Sequence, residues 1–189
     1  MKKPNSWQGA KKSTSFAGIE PGGYVCRIMN AQMHNENCLK ISYDIAEGPF
    51  KDYYRKQYEQ WGGTWRGNHY QSVESKDGST VLAGFSNLIY CIEESNKGYV
   101  WDWDERKLKG KMLGIVMREE EYIPSSGAHA GEVRTIVKSD TILTVEDIRK
   151  GDFKVKECKR LQEGSKAQTQ PDTFSSMQTV NINDDDIQF

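Results

Sequence analysis

Residues 38–46, CLKISYDIA, decide the fold. Leu39, Ile41, Tyr43 and Ile45 point one way along an extended chain, and Lys40, Ser42 and Asp44 point the other. A period of two with one apolar face defines a half-buried β-strand. Upstream, residues 24–34 (YVCRIMNAQMH) follow the turn Pro21-Gly22-Gly23 and read as a second strand. Asn35-Glu36-Asn37 between them is a turn, so the two strands form a hairpin. Downstream, Glu47-Gly48-Pro49 turns the chain again, and residues 50–60 (FKDYYRKQYEQ) are expected to add a third strand to the meander.

Further out the pattern changes. Residues 61–79 carry Gly62-Gly63 and scattered aromatics and read as a loop with room for a short helix. In residues 80–95, Leu82, Phe85, Ile89 and Ile92 recur at three- and four-residue steps, the mark of an amphipathic helix, which Asn96-Lys97-Gly98 ends. Residues 99–109 link to a strand at 110–118, where Gly110 and Gly114 allow a bulge or bend. A turn-rich loop at 124–131 leads to a strand at 132–138. Thr144 to Lys150 opens with a T-x-x-D capping pattern, stops at Gly151 and reads as a short helix. The expected fold class is therefore mainly β: a five-stranded OB-type barrel with a helix after the third strand. Another small barrel or sandwich with a decorating helix has the same order of elements.

The chain has 189 residues, enough for one domain with tails. Residues 164–189 hold Lys166 against Asp172, Asp184, Asp185 and Asp186, a net of −3 within a chain of net −1, which leaves the body at +2. Such asymmetry marks an interaction tail, and it restricts any polyanion site on the body to a local patch. Residues 164–189 are rich in Gln, Ser, Thr, Asn and Asp with no apolar period, a composition expected to be disordered. Residues 1–20, with Lys2, Lys3, Lys11 and Lys12, read as a flexible basic arm. Residues 21–163 form the domain.

The four cysteines, at 26, 38, 91 and 158, show no CxxC pairing and read as reduced core thiols. His34 and Cys38 lack a second ligand pair, so neither a metal nor a cofactor is expected. No signal peptide and no apolar run of membrane length is evident, so the expectation is a cytoplasmic, soluble protein without membrane contact. Phosphate-binding glycine loops, nucleophile elbows and HExxH are missing from the sequence. Trp101-Asp102-Trp103-Asp104 pairs carboxylates, but no further ligand completes a nuclease site, and a non-enzymatic protein is expected.

Aromatic residues make up 11% of the chain, and many of them stand beside cations. The run Lys51-Asp52-Tyr53-Tyr54-Arg55-Lys56-Gln57-Tyr58 continues to Trp61, Trp65 and Arg66. Single-stranded nucleic acid exposes phosphates, which Lys and Arg neutralise, and unstacked bases, which aromatic faces cover at about 1–3 kcal/mol each. The candidate DNA-binding set is Tyr53, Tyr54, Arg55, Lys56, Tyr58, Trp61, Trp65 and Arg66, with Lys40, Lys111 and Arg134 from neighbouring strands. In a strand, Tyr54, Lys56 and Tyr58 share one side and Tyr53, Arg55 and Gln57 the other. Either side could be the one turned into the core.

The chain ends Asp184-Asp185-Asp186-Ile187-Gln188-Phe189. This resembles the acidic tip of bacterial single-stranded DNA-binding proteins, which end Asp-Asp-Asp-Ile-Pro-Phe, with Gln188 in the place of Pro. The resemblance implies a protein-interaction site. Phe189 would be the anchor, Ile187 a second apolar contact, and Asp184, Asp185 and Asp186 the electrostatic set. Capture of a terminal carboxylate is a recurring mode of recognition. The body resembles phage-encoded OB-fold single-stranded DNA-binding proteins. The likeness lies in residues 108–118 (LKGKMLGIVMR), in Glu120-Glu121-Tyr122 and in the turn Glu47-Gly48-Pro49-Phe50. The resemblances imply a protein that coats single-stranded DNA in replication, recombination or repair and recruits host or phage proteins through its tip. An adaptor or decoy that uses the tip without binding DNA is the alternative. Edge strands leave homodimerisation open.

Overall fold

The computed structural model describes residues 17–161. Eight helices and strands run in the order β1 (Gly22–Asn35), β2 (Cys38–Ile45), α1 (Tyr53–Trp61), β3 (Asn68–Ser72), α2 (Ala83–Ser95), β4 (Met112–Tyr122), β5 (Arg134–Leu143) and α3 (Val145–Lys150). A 3-10 turn, Glu105–Leu108, precedes β4. The strands form one antiparallel sheet of order β3-β2-β1-β4-β5. It curls without closing, because no ladder joins the edge strands β3 and β5.

The alternation in β2 sets the inner face. Leu39, Ile41, Tyr43 and Ile45 are each no more than 1% exposed. On β1, Ile28 lies opposite Tyr43 and Ala31 opposite Ile41, with a bulge between Ile28 and Asn30. The bulge shifts the phase by one residue, so two buried positions three apart face the same core. Leu113, Ile115 and Met117 of β4 complete that face, and α2 covers it with Phe85, Leu88, Cys91 and Ile92. Asn96 ties the end of α2 to β4, donating to the carbonyls of Ile92 and Met112 and accepting from the Met112 amide.

A second, smaller core lies on the other face of the sheet. Val25 and Val116 pack there with Val145 and Ile148 of α3, and Phe153 and Val155 of the following strap lie against them. Gly114 allows this close approach, since a Cβ there would meet Ile148 and the Thr144 carbonyl at 2.6 Å. Its role is therefore space for α3 rather than a bend. The strap ends beside β4, where Lys159 pairs with Glu120 past the point at which β1 begins.

Two expectations need correction. Residues 50–60 are not a strand: Tyr53–Trp61 is the helix α1. The third strand is Asn68–Ser72, inside the stretch expected to be a loop. Tyr-rich composition favours a strand, but Asp44 of β2 supplies what a helix start needs. Its carboxylate accepts from the amides of Tyr54 and Arg55, at 2.9 and 3.1 Å, in place of a local cap. The short helix α3 has the expected capping box, with Thr144 and Asp147 bonded reciprocally, and Gly151 follows it with φ 73°. All four cysteines are free thiols. Cys26 and Cys91 are buried, and burial raises the pKa of both.

Candidate nucleic-acid interface

α1 divides the aromatic and cationic run. Its inner face carries Tyr53 and Tyr54, 8% and 6% exposed. Tyr54 meets the Tyr43 ring edge-on at 5.5 Å, and the Tyr53 hydroxyl accepts from the Ile19 amide at 3.2 Å. Burial raises both phenol pKa values. Tyr53 and Tyr54 are therefore core residues with no exposed stacking face, a correction to the expected set. The outer face carries Tyr58 and Trp61, 47% and 54% exposed. One helical turn separates these two. Trp65 tilts against Tyr58 at 6.1 Å and is fixed by its indole N–H, which donates to the Tyr43 and Gly67 carbonyls.

The cations are spread over several places. Arg55 pairs with Asp52 at 2.8 Å, and Lys56 donates to the Lys51 carbonyl at 2.7 Å, so both serve the start of α1. Arg66 stands exposed between α1 and β3. Lys111 sits 4.4 Å over the Tyr99 ring, beside the segment that follows α2. Arg134 begins β5 opposite Tyr122. Lys40 lies on the outer face of β2, its ammonium 5.7 Å from the centre of the Tyr70 ring.

Strand register brings that last pair into a wider polar face. Gln32, Lys40 and Tyr70 form one rung across β1, β2 and β3, and Asn30, Ser42 and Asn68 form the next. His34 meets Tyr70 edge-on at 5.2 Å. Tyr70 was not among the expected residues, because the strand that carries it, NHYQS, has no apolar alternation to reveal it.

The two sheet edges face each other across a groove of about 860 Å³. Asn68 to Ser72 of β3 form one wall and Thr135 to Asp140 of β5 the other, with Tyr43, Tyr53 and Tyr54 among the lining residues. Arg66, Arg118, Lys138 and Lys159 bring four cations to it, against Glu119, Glu120 and Asp140. Arg118 and Lys156 hold Asp140 at 2.9 and 3.2 Å, and Lys138 reaches Glu120 at 3.5 Å. His69 and Ser139 bridge the two walls, with Nδ1 and Oγ 3.1 Å apart. Burial holds the His69 pKa down at about 4, so the ring is neutral near pH 7.

Asp102 and Asp104, the carboxylates beside Trp101 and Trp103, pair with Lys107 and Arg106 respectively. Among the described residues no cluster of three or more His, Cys, Asp or Glu is placed to hold a metal ion. Nor is any described helix long and apolar enough to cross a membrane. The tip residues Asp184, Asp185, Asp186, Ile187 and Phe189, the tail from 164 and the basic arm up to residue 16 lie outside the described residues. In comparisons with known proteins, no family model and no curated sequence matches the chain.

Proposed function

We propose that this protein binds single-stranded DNA through an OB-type barrel during replication, recombination or repair, without catalysing a reaction. The observation that carries the reading is the polar outer face of β1, β2 and β3. There Lys40, Tyr70 and His34 cluster at an edge strand, next to a groove with cations among its lining residues. A strand could stack bases on Tyr70, Tyr58 and Trp61 while Lys40, Arg66 and Lys159 meet its phosphates. Every sequence offers these contacts, so most of the affinity would not depend on base order. The sheet order, with a helix between β3 and β4 and a seam between β3 and β5, suits a partly open OB barrel.

The acidic tip supports the second half of the proposal: Asp184, Asp185, Asp186, Ile187 and Phe189 recruit replication or repair proteins in the cytoplasm of a phage-infected bacterium. A second reading has specific support. Burial of Tyr53 and Tyr54 and the ion pair of Arg55 with Asp52 leave a smaller DNA surface than the sequence suggests. An adaptor that works through the tip alone needs no such surface.

One titration separates the two. Fluorescence anisotropy of labelled oligo-dT is followed as protein is added, against the matching duplex, at low and moderate salt. Binding selective for the single strand, with log K falling against log salt by about 0.7 per phosphate neutralised, supports the main reading. No binding of the single strand at micromolar protein sinks it and leaves the adaptor.

A further inference from the structure

Trp103 combines two features that a large apolar side chain seldom shows. It is 66% exposed, and its φ of 66° lies in the left-handed region that bulky residues avoid. Among the described residues the other non-glycine with positive φ is Asp52, and aspartate tolerates that region better. Strain of this kind persists where the surroundings impose it, and it gathers at binding sites. Around Trp103 the loop is tied down on both sides. The Trp101 amide donates to the Glu93 carboxylate at 2.7 Å, and Asp102 pairs with Lys107. Asp104 accepts from the amide and Nε of Arg106 at 3.2 and 2.8 Å. None of these bonds uses the Trp103 side chain. Its ring lies nearly parallel to that of the buried Phe85, with centroids 6.0 Å apart and planes at 26°, and Trp101 tilts against it at 6.0 Å. The ring is thus seated on Phe85 of α2 and carries its exposure on the sides turned away from it.

We propose that Trp103 is a further stacking site, on which one base of the single strand lies. This rests on the proposed binding of single strands and lengthens the stretch that the protein covers. A ring already held in place loses little freedom when a base joins it. Charge selects the occupant. Residues 97–111 hold Lys97, Arg106, Lys107, Lys109 and Lys111 against Asp102, Asp104 and Glu105, a net of +2. Lys97 and Lys109 are exposed. The pairs of Lys107 and Arg106 lie at the surface, where an ion pair contributes little and a phosphate can take the place of the carboxylate. An apolar peptide on Trp103 would leave those cations unused, whereas a base brings a phosphate on either side of it. The loop also adjoins the polar outer face. The Gly110 amide donates to the Ile28 carbonyl at 2.7 Å and the Ile28 amide to the Lys111 carbonyl at 2.8 Å, so this segment runs beside β1. Just beyond Ile28 on β1, Asn30 belongs to the rung it shares with Ser42 and Asn68. A strand that leaves Tyr70 and crosses β2 and β1 therefore arrives at Lys109, in the loop that carries Trp103.

The test uses the full chain at one low salt concentration, with labelled oligo-dT and an abasic strand of equal length. Trp103→Gly removes the ring at a backbone conformation that glycine adopts freely, and Trp103→Phe keeps an aromatic face. Trp103→Gly should weaken oligo-dT binding about 5- to 150-fold, the loss of one stacked base, and leave binding of the abasic strand unchanged. Trp103→Phe should restore most of the affinity. Undiminished oligo-dT binding in Trp103→Gly overturns the inference. So does an equal loss on the abasic strand, which marks a damaged fold rather than a lost stack. A measurement on the unaltered protein guards against a misfolded variant. The chain has five tryptophans, so ¹⁵N-labelled indoles can be followed one by one, with Trp103 assigned by its loss in Trp103→Phe. That resonance should move on adding oligo-dT and stay in place with the abasic strand; no movement with oligo-dT refutes the stacking site. If oligo-dT does not bind the unaltered protein at all, the underlying proposal has failed rather than the stacking site alone.

Discussion

The buried carboxylate of Asp44 ties β2 to the start of α1. It accepts from its own neighbour Ile45 and, across the turn, from Tyr54 and Arg55. Burial raises its pKa even so, which means that the desolvation of the charge outweighs these bonds. A carboxyl group whose folded pKa lies above its unfolded value stabilises most when protonated, and the contribution fades as pH rises through the folded value. Asp44→Ala leaves buried amides unpaired and should cost about 1–3 kcal/mol in urea unfolding at pH 7. Asp44→Asn keeps one acceptor oxygen and avoids the charge, so it should cost less; an equal loss would show that charge, not acceptance, is what α1 needs. The tyrosines separate in the same way. Tyr54→Ala empties a core position and should cost about 3–5 kcal/mol of stability. Tyr70→Ala, at a residue 37% exposed, should leave the melting temperature nearly unchanged. It should weaken oligo-dT binding by about 1–3 kcal/mol, one stacked base. Undiminished affinity in Tyr70→Ala would remove the outer sheet face from the DNA path.

Elements with a strong period were legible in the sequence, and elements fixed by distant contacts were not. β1, β2 and α2 announce themselves because each buries one continuous apolar face. α3 is legible for a different reason: its start and stop are written locally, in Thr144, Asp147 and Gly151. Thr144→Ala removes the capping oxygen and should cost about 1 kcal/mol, measurable as a lower urea midpoint at an unchanged slope. α1 was misread because Tyr53, Tyr54 and Tyr58 carry β propensity, whereas its first amides are satisfied from β2, ten residues upstream of Tyr54. β3 escapes the sequence because its five residues, NHYQS, carry almost no apolar signal and owe their extended form to pairing with β2. The candidate site inherited both errors. The cations and the outer aromatics of α1 could be read from composition, but Tyr70 and His69 owe their places to a strand that only tertiary pairing defines.

Across the whole molecule, the unpaired edges β3 and β5 leave a seam that His69 and Ser139 help to hold, and that makes stability depend on pH. The groups around the imidazole are the Ser139 hydroxyl, the Gln71 amide and, more distantly, the Asp140 carboxylate. The last two favour the charged form, but desolvation is the largest influence and holds the folded pKa at about 4. An unfolded histidine titrates near 6.5. Above that value the ring is neutral in both states and pH has no effect through it. Between about 6.5 and about 4 the unfolded chain takes up a proton that the folded chain refuses, so stability falls as pH falls. Below about 4 both states are protonated and the loss levels off, having reached at most about 3 kcal/mol. Urea midpoints at pH 7.5 and pH 5 isolate the effect when wild type is compared with His69→Phe. The carboxylates, Asp44 among them, titrate alike in both proteins and cancel in the comparison. The wild-type midpoint should drop further than that of the variant on acidification. Parallel losses would mean that the folded protein accepts the proton on His69, which requires an acceptor or solvent to reach the ring when the seam opens.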